Sequence, residues 1–139
     1  MAVSEGFFGS LADEVGYPFN QIPAEAFTNA AAGYAGQASL CGSLGVAAAC
    51  IGTVCDVETA KKLVGDLWDW YKEHPFPQYQ PAELDLAMTV ADSVLCIDSV
   101  GKYMEAQGCG FGDDERKERC AGVAAEILKK TVEMLNETL

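Results

Sequence analysis

The residues best suited to chemistry in this chain are its six cysteines. They are Cys41, Cys50, Cys55, Cys96, Cys109 and Cys120. Thiolates bind iron–sulfur clusters and soft metals, and a pair of thiols can instead cycle with a disulfide. The chain has one histidine, so a site built from several histidines would lack ligands within one chain. No Cys-x-x-Cys pair occurs, which excludes the thioredoxin motif, the zinc ribbon and the covalent haem attachment site.

The length and charge of the chain restrict the class of protein. With 139 residues, half of them apolar, the chain is expected to form a single domain over residues 1–139. Twenty-one acidic residues against nine basic ones give a formal charge of −12, which repels nucleic acid and anionic lipid surfaces. No apolar run reaches the roughly 18 residues that a membrane-spanning helix needs. We therefore expect no nucleic-acid partner and no membrane insertion.

Apolar residues recur with a helical period along most of the chain, and strand signals are nearly absent. This pattern predicts an all-α bundle of five or six helices. The predicted helices cover about residues 4–15, 24–32, 35–54, 57–72 and 93–107, and a last helix begins at 113 or 114. Asp56 is expected to cap the helix that follows it. Three prolines between 74 and 83 predict a non-helical connector, with His74 as a solvated side chain.

The predicted helices bring three of the cysteines toward one place. Cys96 and Cys120 lie on consecutive helices joined by a glycine-rich turn, so an antiparallel pairing brings them to similar depth in the bundle. Cys41 lies on a helix with a stripe of small residues, which allows close packing against a neighbour. The three thiols can therefore converge in the bundle interior. Cys55, in contrast, would lie about 21 Å from Cys41 along one continuous helix.

The other three cysteines have less specific expectations. Cys50, in an alanine-rich run, is expected to be a buried core residue, because free cysteine behaves as a small hydrophobe. Cys55 and Cys109 fall at predicted helix ends. For each of them, a disulfide, a loop-borne metal ligand and an inert thiol all remain open.

Several stretches of the chain resemble a known family. The main ones are AAGYAGQASLCGSLGVAAACIG, DSVLCIDSVGKYM and ERKERCAGVAAEILKKTVEMLN. They resemble the redox-active family with the C_GCAxxG_C_C cysteine pattern, and the related non-haem part of split-Soret cytochromes c. The resemblance implies a helical redox protein, often exported, whose cysteines hold an iron–sulfur centre or act as redox thiols. Cys41, Cys96 and Cys120 fall on the family's cysteine positions.

The sequence also departs from that family. Read as Cys-Gly-Ala-x-x-Gly from Cys41, the motif has Ser43 in place of alanine and Val46 in place of the last glycine. Phe7 stands where the family's N-terminal cysteine is expected. Ile97 stands where split-Soret members often have histidine, and the chain has no haem attachment motif. Covalent haem is therefore not expected.

The resemblance implies a small redox domain that binds an iron–sulfur cluster of unspecified type through Cys41, Cys96 and Cys120. Because such clusters usually take four cysteines, Cys109, Cys55 across a dimer, or a non-cysteine group is expected to complete the ligand set. The expected role is electron transfer or redox sensing with a partner protein, in preference to a stand-alone enzyme. A thiol–disulfide protein without metal, and a helical interaction domain in which disulfides or packed cysteines add stability, are the alternatives.

Two further expectations concern assembly and compartment. The glycine–alanine stripe beside Cys41 could serve a homodimer or a contact within one chain. Residues 1–6 lack the basic and apolar regions of an export signal, which fits a cytosolic protein or the mature form of an exported one. The family resemblance favours the exported, periplasmic form.

Overall fold

Five α-helices and two short 3₁₀ helices carry the chain, and the computed structural model describes all 139 residues. The α-helices are α1 Ala2–Glu14, α2 Gly42–Val54, α3 Val57–Glu73, α4 Cys96–Gln107 and α5 Asp114–Thr138, and the 3₁₀ helices are Phe19–Gln21 and Ala24–Ala30. Two short strands, β1 Pro75–Phe76 and β2 Thr89–Val90, pair antiparallel. The predicted all-α class is confirmed, and this small sheet is the one addition to it.

The longest helix, α5, organises the packing. It contacts each of the other four α-helices as well as β1. Helices α1, α2, α3 and α5 share one apolar core, whose fully buried members include Leu44, Ile51, Leu67 and Ile127. Helix α4 lies to one side, against α5 and β2. None of these helices combines the length and the apolar character that crossing a membrane requires.

Helix α3 forms as its sequence predicts. The Asp56 carboxylate accepts a hydrogen bond from the Thr59 N–H over 2.9 Å, which satisfies one of the free amides of the first turn. Leu63, Leu67 and Tyr71 follow at intervals of four residues and are all buried. This periodic stripe holds α3 against the core and sets the position of the Tyr71 side chain.

The helix predicted over 35–54 is shorter than expected, because α2 begins only at Gly42. The chain before it turns repeatedly through left-handed backbone conformations, which Ala32, Tyr34, Ala35 and Ala38 adopt without being glycine. Such a backbone cannot continue a right-handed helix. Helix α4 likewise begins later than expected, at Cys96 and not near residue 93.

The small-residue stripe of α2 packs within the chain over its first turn. A Cβ atom at Gly42 would collide with the carbonyl oxygen of Ala30, and one at Gly45 would collide with the hydroxyl of Tyr34. Gly52, near the other end of the helix, has open space around it. Close intrachain contacts therefore account for the glycines beside Cys41.

The prediction that His74 is solvated was wrong. Its side chain is 18% exposed, and its Nε2 atom lies 2.9 Å from the Glu126 carboxylate. The ring also packs against Trp70 and Phe76. The same carboxylate accepts a hydrogen bond from the Gln78 N–H over 3.0 Å, so it attaches the proline-rich connector to α5.

Candidate functional site

Two of the cysteines lie at the beginnings of helices. Cys41 immediately precedes α2, and Cys96 is the first residue of α4. The Cys41 N–H donates to the carbonyl of Val94 over 2.9 Å, and the Cys96 N–H donates to the carbonyl of Ser39 over 2.6 Å. This short antiparallel contact brings the two helix N-termini together, although the two cysteines are far apart in sequence. The N–H groups of Cys41 and Cys96 are used in this contact, so they are not available for hydrogen bonds within a longer α2 or α4.

Cys120, in the second turn of α5, lines the same cavity as Cys41 and Cys96. The cavity has a volume of about 220 Å³ and mainly apolar walls. Its polar or ionisable side chains are those of Cys41, Ser43, Tyr71, Cys96, Ser99, Arg116, Arg119 and Cys120. No aspartate or glutamate lines it, although the chain has 21 acidic residues and nine basic ones. The cavity therefore combines three thiols with an excess of positive charge.

Arg119 is the most unusual group at this cavity, because its side chain is only 1% exposed and it forms no salt bridge. Its Nη2 donates to the Ser99 hydroxyl over 2.7 Å, and that hydroxyl also lies 2.7 Å from the hydroxyl of Tyr71. Its Nη1 lies 3.9 Å from Cys120 Sγ. The remaining donor, Nε, is buried without a hydrogen-bond partner. A buried cation of this kind is costly unless a negative charge neutralises it.

The thiols and the tyrosine influence one another electrostatically. Burial raises the pKa of Cys96, and negative charge on Cys41 or Cys120 raises it further, while Arg119 opposes the shift. Burial also raises the pKa of Tyr71, and charge on Cys41 adds to that effect. These interactions act only over short distances in a partly desolvated site. They indicate that the Cys96 thiol and the Tyr71 hydroxyl lie within electrostatic reach of Cys41.

The remaining cysteines lie away from this cavity. Cys50 is fully buried in the core, as predicted, and its pKa rises to about 12, mainly through burial. Cys55 follows the last residue of α2, about 21 Å along the helix from Cys41. Cys109 follows the far end of α4, about 20 Å along that helix from Cys96. The structure thus does not bring Cys55 or Cys109 to the other thiols within one chain, and all six cysteines are free thiols.

The cavity is a shared space for three thiols and not a closed ligand shell. No three His, Cys, Asp or Glu side chains lie close enough together to ligate one metal ion. A site for one water needs only about 15 Å³ of such volume, so the cavity can hold a group of several atoms. Three soft sulfur donors around such a space, beside a buried cation without a salt bridge, fit a metal-containing group that carries net negative charge when thiolates hold it.

Sequence reasoning found the thiols but missed Arg119, Ser99 and Tyr71 as parts of the site. One signal for the arginine was available. Arg119 precedes the buried Val123 and Ile127 by four and eight residues, so it continues the buried stripe of α5. A charged residue on a core-facing stripe indicates either a paired ion or a ligand site. Its proximity to Ser99 and Tyr71 is a tertiary contact that no local pattern predicts.

The chain is similar to known redox proteins. The model of the family described as "Putative redox-active protein (C_GCAxxG_C_C)" matches residues 1–134. The split-Soret cytochrome c of Desulfovibrio desulfuricans is 28% identical over 134 residues, which cover 92% of this chain and 48% of the cytochrome. A solved structure described as a novel iron centre in that cytochrome aligns with a TM-score of 0.91 and 27% identity, covering 98% of this chain and 60% of the other. The chain therefore spans about half the length of the curated relative that it matches.

The pattern of this family corrects the reading of the motif around Cys41. It runs Gly-Cys-Ala-x-x-Gly, so the last glycine falls on Gly45 and not on Val46. Ser43 then occupies a variable position, and the departures are Leu40 for glycine and Gly42 for alanine. The close approach of the Ala30 carbonyl explains why this chain has glycine at the alanine position. The chain thus keeps the cysteine and the last glycine of this motif, at Cys41 and Gly45.

Proposed function

The chain belongs to the redox-active C_GCAxxG_C_C family, and from this premise we propose that it is a small redox protein holding an iron-containing centre through Cys41, Cys96 and Cys120. The observation that carries the proposal is the convergence of these three thiols on one cavity beside a buried, unpaired arginine. The iron centre described for the similar split-Soret cytochrome supports it from outside this chain.

We propose an iron–sulfur cluster as the occupant, in preference to a single iron ion. The cavity has room for several atoms, and no three candidate ligands converge on one ion. A cluster spans a wider space and can be reached by thiolates from three different elements. When bound, such a centre supplies one-electron chemistry.

The residues of the chain have separable roles in this proposal. The three cysteines hold the iron as thiolates, and the short backbone contact between the starts of α2 and α4 fixes two of them. Arg119 offsets negative charge, and the Ser99 hydroxyl orients its guanidinium through the bond from Nη2. The apolar walls limit access of water, which strengthens these interactions.

The fourth ligand is proposed to come from outside the three-cysteine set. Cys109 lies about 20 Å from Cys96 along α4, which makes it a poor candidate within one chain. Cys55 lies at the opposite end of α2 from Cys41, so it could contribute only from a second copy in a homodimer. A non-cysteine group is the simpler proposal, because it requires no rearrangement of the helices.

Anaerobic reconstitution with ferrous iron and sulfide tests the proposal. The wild-type protein is expected to retain iron and acid-labile sulfide after desalting and to absorb visible light. Replacement of Cys41, Cys96 or Cys120 by serine is expected to abolish or strongly reduce retention. Cys55→Ser and Cys109→Ser are matched controls, because those thiols lie away from the cavity.

Different outcomes of this experiment would reject the cluster, the ligand assignment or the function as a whole. Iron without acid-labile sulfide would support an iron centre and reject the cluster. Loss of iron in Cys109→Ser equal to that in Cys120→Ser would reject the ligand assignment. No retention of iron by the wild-type protein would reject the function as stated.

A thiol–disulfide protein without metal is the second candidate, favoured by the placement of Cys41, Cys96 and Cys120 around one cavity. In that reaction two thiols would lose two electrons and two protons to an oxidant such as oxidised glutathione, and one S–S bond would form. Mass spectrometry of the metal-free protein in a glutathione redox buffer would detect the loss of two hydrogens. Six free thiols under oxidising conditions would reject this candidate.

The setting of the protein is also proposed. A redox partner protein is expected, because the centre itself has no substrate. We propose the periplasm as the compartment, on the family resemblance alone. Fractionation of cells that produce the full-length natural protein would test the compartment.

A further inference from the structure

The thiol cavity is positively charged within an acidic protein. Two of the nine basic residues of the chain, Arg116 and Arg119, line it, and none of the 21 acidic ones does. Arg116 is engaged with Phe111, since its Nε donates to that residue's carbonyl over 2.6 Å and its guanidinium lies over the ring. Arg119 lies over the ring of Tyr103, but unlike Arg116 it is fully buried and has an Nε donor without a hydrogen-bond partner.

The unpartnered Nε of Arg119 indicates a missing acceptor. A buried N–H donor without a partner costs about 1–3 kcal/mol, and more when the group is charged. Ser99 occupies Nη2, and Nη1 has only the sulfur of Cys120 within reach at 3.9 Å. No carboxylate lines the cavity, so no acidic side chain neutralises the guanidinium.

The N-terminus of α2 adds donors to the same cavity. Gly42 and Ser43 line it and begin a helix of 13 residues. The Cys41 side chain makes no capping hydrogen bond to the amides of this first turn. Free amides at a helix N-terminus attract anions. The amides of Gly42 and Ser43 belong to residues that line the same cavity as the buried Arg119.

We propose that this cavity binds a small, monovalent, weakly hydrated inorganic anion in the iron-free protein, with Arg119 as its main partner. One fully buried cation matches one negative charge. The largely apolar walls disfavour a strongly hydrated dianion such as sulfate, because its desolvation costs more than that of a polarisable monovalent anion. The inference rests on the cavity assigned above to the iron centre but does not require iron to bind.

The test uses the full chain, reduced and metal-free, at one fixed pH. Sodium thiocyanate is the probe, and sodium sulfate at matched ionic strength is the comparison. Nuclear magnetic resonance would follow the Nε–H of Arg119 and the amides of Gly42 and Ser43. Saturable shifts of these three signals are expected, with thiocyanate binding at least about tenfold more tightly than sulfate.

Variants locate the site. Arg119→Gln is expected to weaken thiocyanate binding at least about tenfold, whereas Arg119→Lys, which keeps the charge, is expected to lose less. Lys130→Gln is the matched control, because it removes one positive charge over Trp70, outside the cavity. It is expected to bind as the wild type does.

Several results would overturn the inference: an unshifted Arg119 Nε–H, sulfate binding as tight as thiocyanate binding, or an unchanged affinity in Arg119→Gln. If Arg119→Gln does not fold, the Nε–H signal of the wild type and the affinity of Arg119→Lys decide the question. Iron retention is measured on separate samples. Failure of anion binding with normal iron loading would therefore reject this inference alone, and the reverse result would reject only the proposed function.

Discussion

Replacing Arg119 with glutamine is expected to lower the reduction potential of the iron-loaded centre. Reduction adds negative charge, and a buried cation nearby stabilises the reduced form more than the oxidised form. In the wild type, Arg119 Nη2 donates a hydrogen bond to the Ser99 hydroxyl over 2.7 Å. Glutamine removes the charge but keeps an amide donor for that hydroxyl. The variant thus separates the charge of Arg119 from much of its packing.

The magnitude follows from the distance between Arg119 Nη1 and Cys120 Sγ, which is 3.9 Å. At an effective dielectric constant of about 20, two unit charges at that distance interact by about 4 kcal/mol. The added electron is spread over the centre and lies farther away on average, which reduces the interaction to about 2–4 kcal/mol. For a one-electron couple, in which 59 mV corresponds to about 1.4 kcal/mol, the potential is expected to fall by about 80–170 mV.

A redox titration monitored by electron paramagnetic resonance measures this shift at fixed pH. Arg119→Lys keeps the charge and is expected to stay much closer to the wild type. Lys130→Gln lies outside the cavity and should change the potential little, because salt screens distant charges. An unchanged or higher potential in Arg119→Gln, with iron content equal to that of the wild type, would refute the electrostatic role.

Three further predictions concern stability. Gly42→Ala is expected to destabilise the fold by about 1–3 kcal/mol, because the added methyl group meets the carbonyl of Ala30. Gly52→Ala, which has open space around it, is expected to stabilise the fold by about 1 kcal/mol, and urea denaturation would measure both changes. Burial raises the pKa of Cys50 from 9.0 to about 12, so the folded state keeps a proton that the unfolded state loses. Stability should therefore fall between about pH 9 and 12, less so in Cys50→Ala, and a native Cys50 that reacts readily with iodoacetamide would contradict this burial. Glu126→Gln is expected to cost about 1–3 kcal/mol and to increase hydrogen exchange in the 77–79 loop, and an unchanged melting temperature would argue against its anchoring role.

The helices that the sequence predicts well are those with local signals. Asp56 and the buried stripe of α3 lie within one continuous segment, so capping and periodicity determine that helix. The start of α2 depends instead on pairing between residues near 40 and near 95. The alanine-rich segment before Gly42 has helical propensity, but residues 39–41 form hydrogen bonds with residues 94–96 and do not continue a helix. The local sequence alone does not predict this pairing.

The candidate site also has a part that the sequence predicts, the thiols, and a part that it does not, the buried charge. The spacing of Cys96 and Cys120 around a turn predicts a meeting of two adjacent helices, and both thiols do line one cavity. The charge at that cavity was not predicted, because a sequence rule places arginine at the surface. The side chain of Arg119 is buried against groups from distant parts of the chain, namely the Ser99 hydroxyl and the Tyr103 ring of α4, with the Tyr71 hydroxyl of α3 on Ser99.

The net charge of the chain and the local charge of the cavity point to different consequences. The formal charge of −12 governs long-range encounters and disfavours anionic macromolecules. The cavity excludes every carboxylate and contains a buried guanidinium beside a helix N-terminus. A buried charge is screened by water and salt much less than surface charges are, so the local field decides which group the cavity accepts. A surface that repels anions is therefore compatible with the anionic, thiolate-bound centre proposed for the cavity, and the same outer charge would favour a proposed redox partner with a basic docking face.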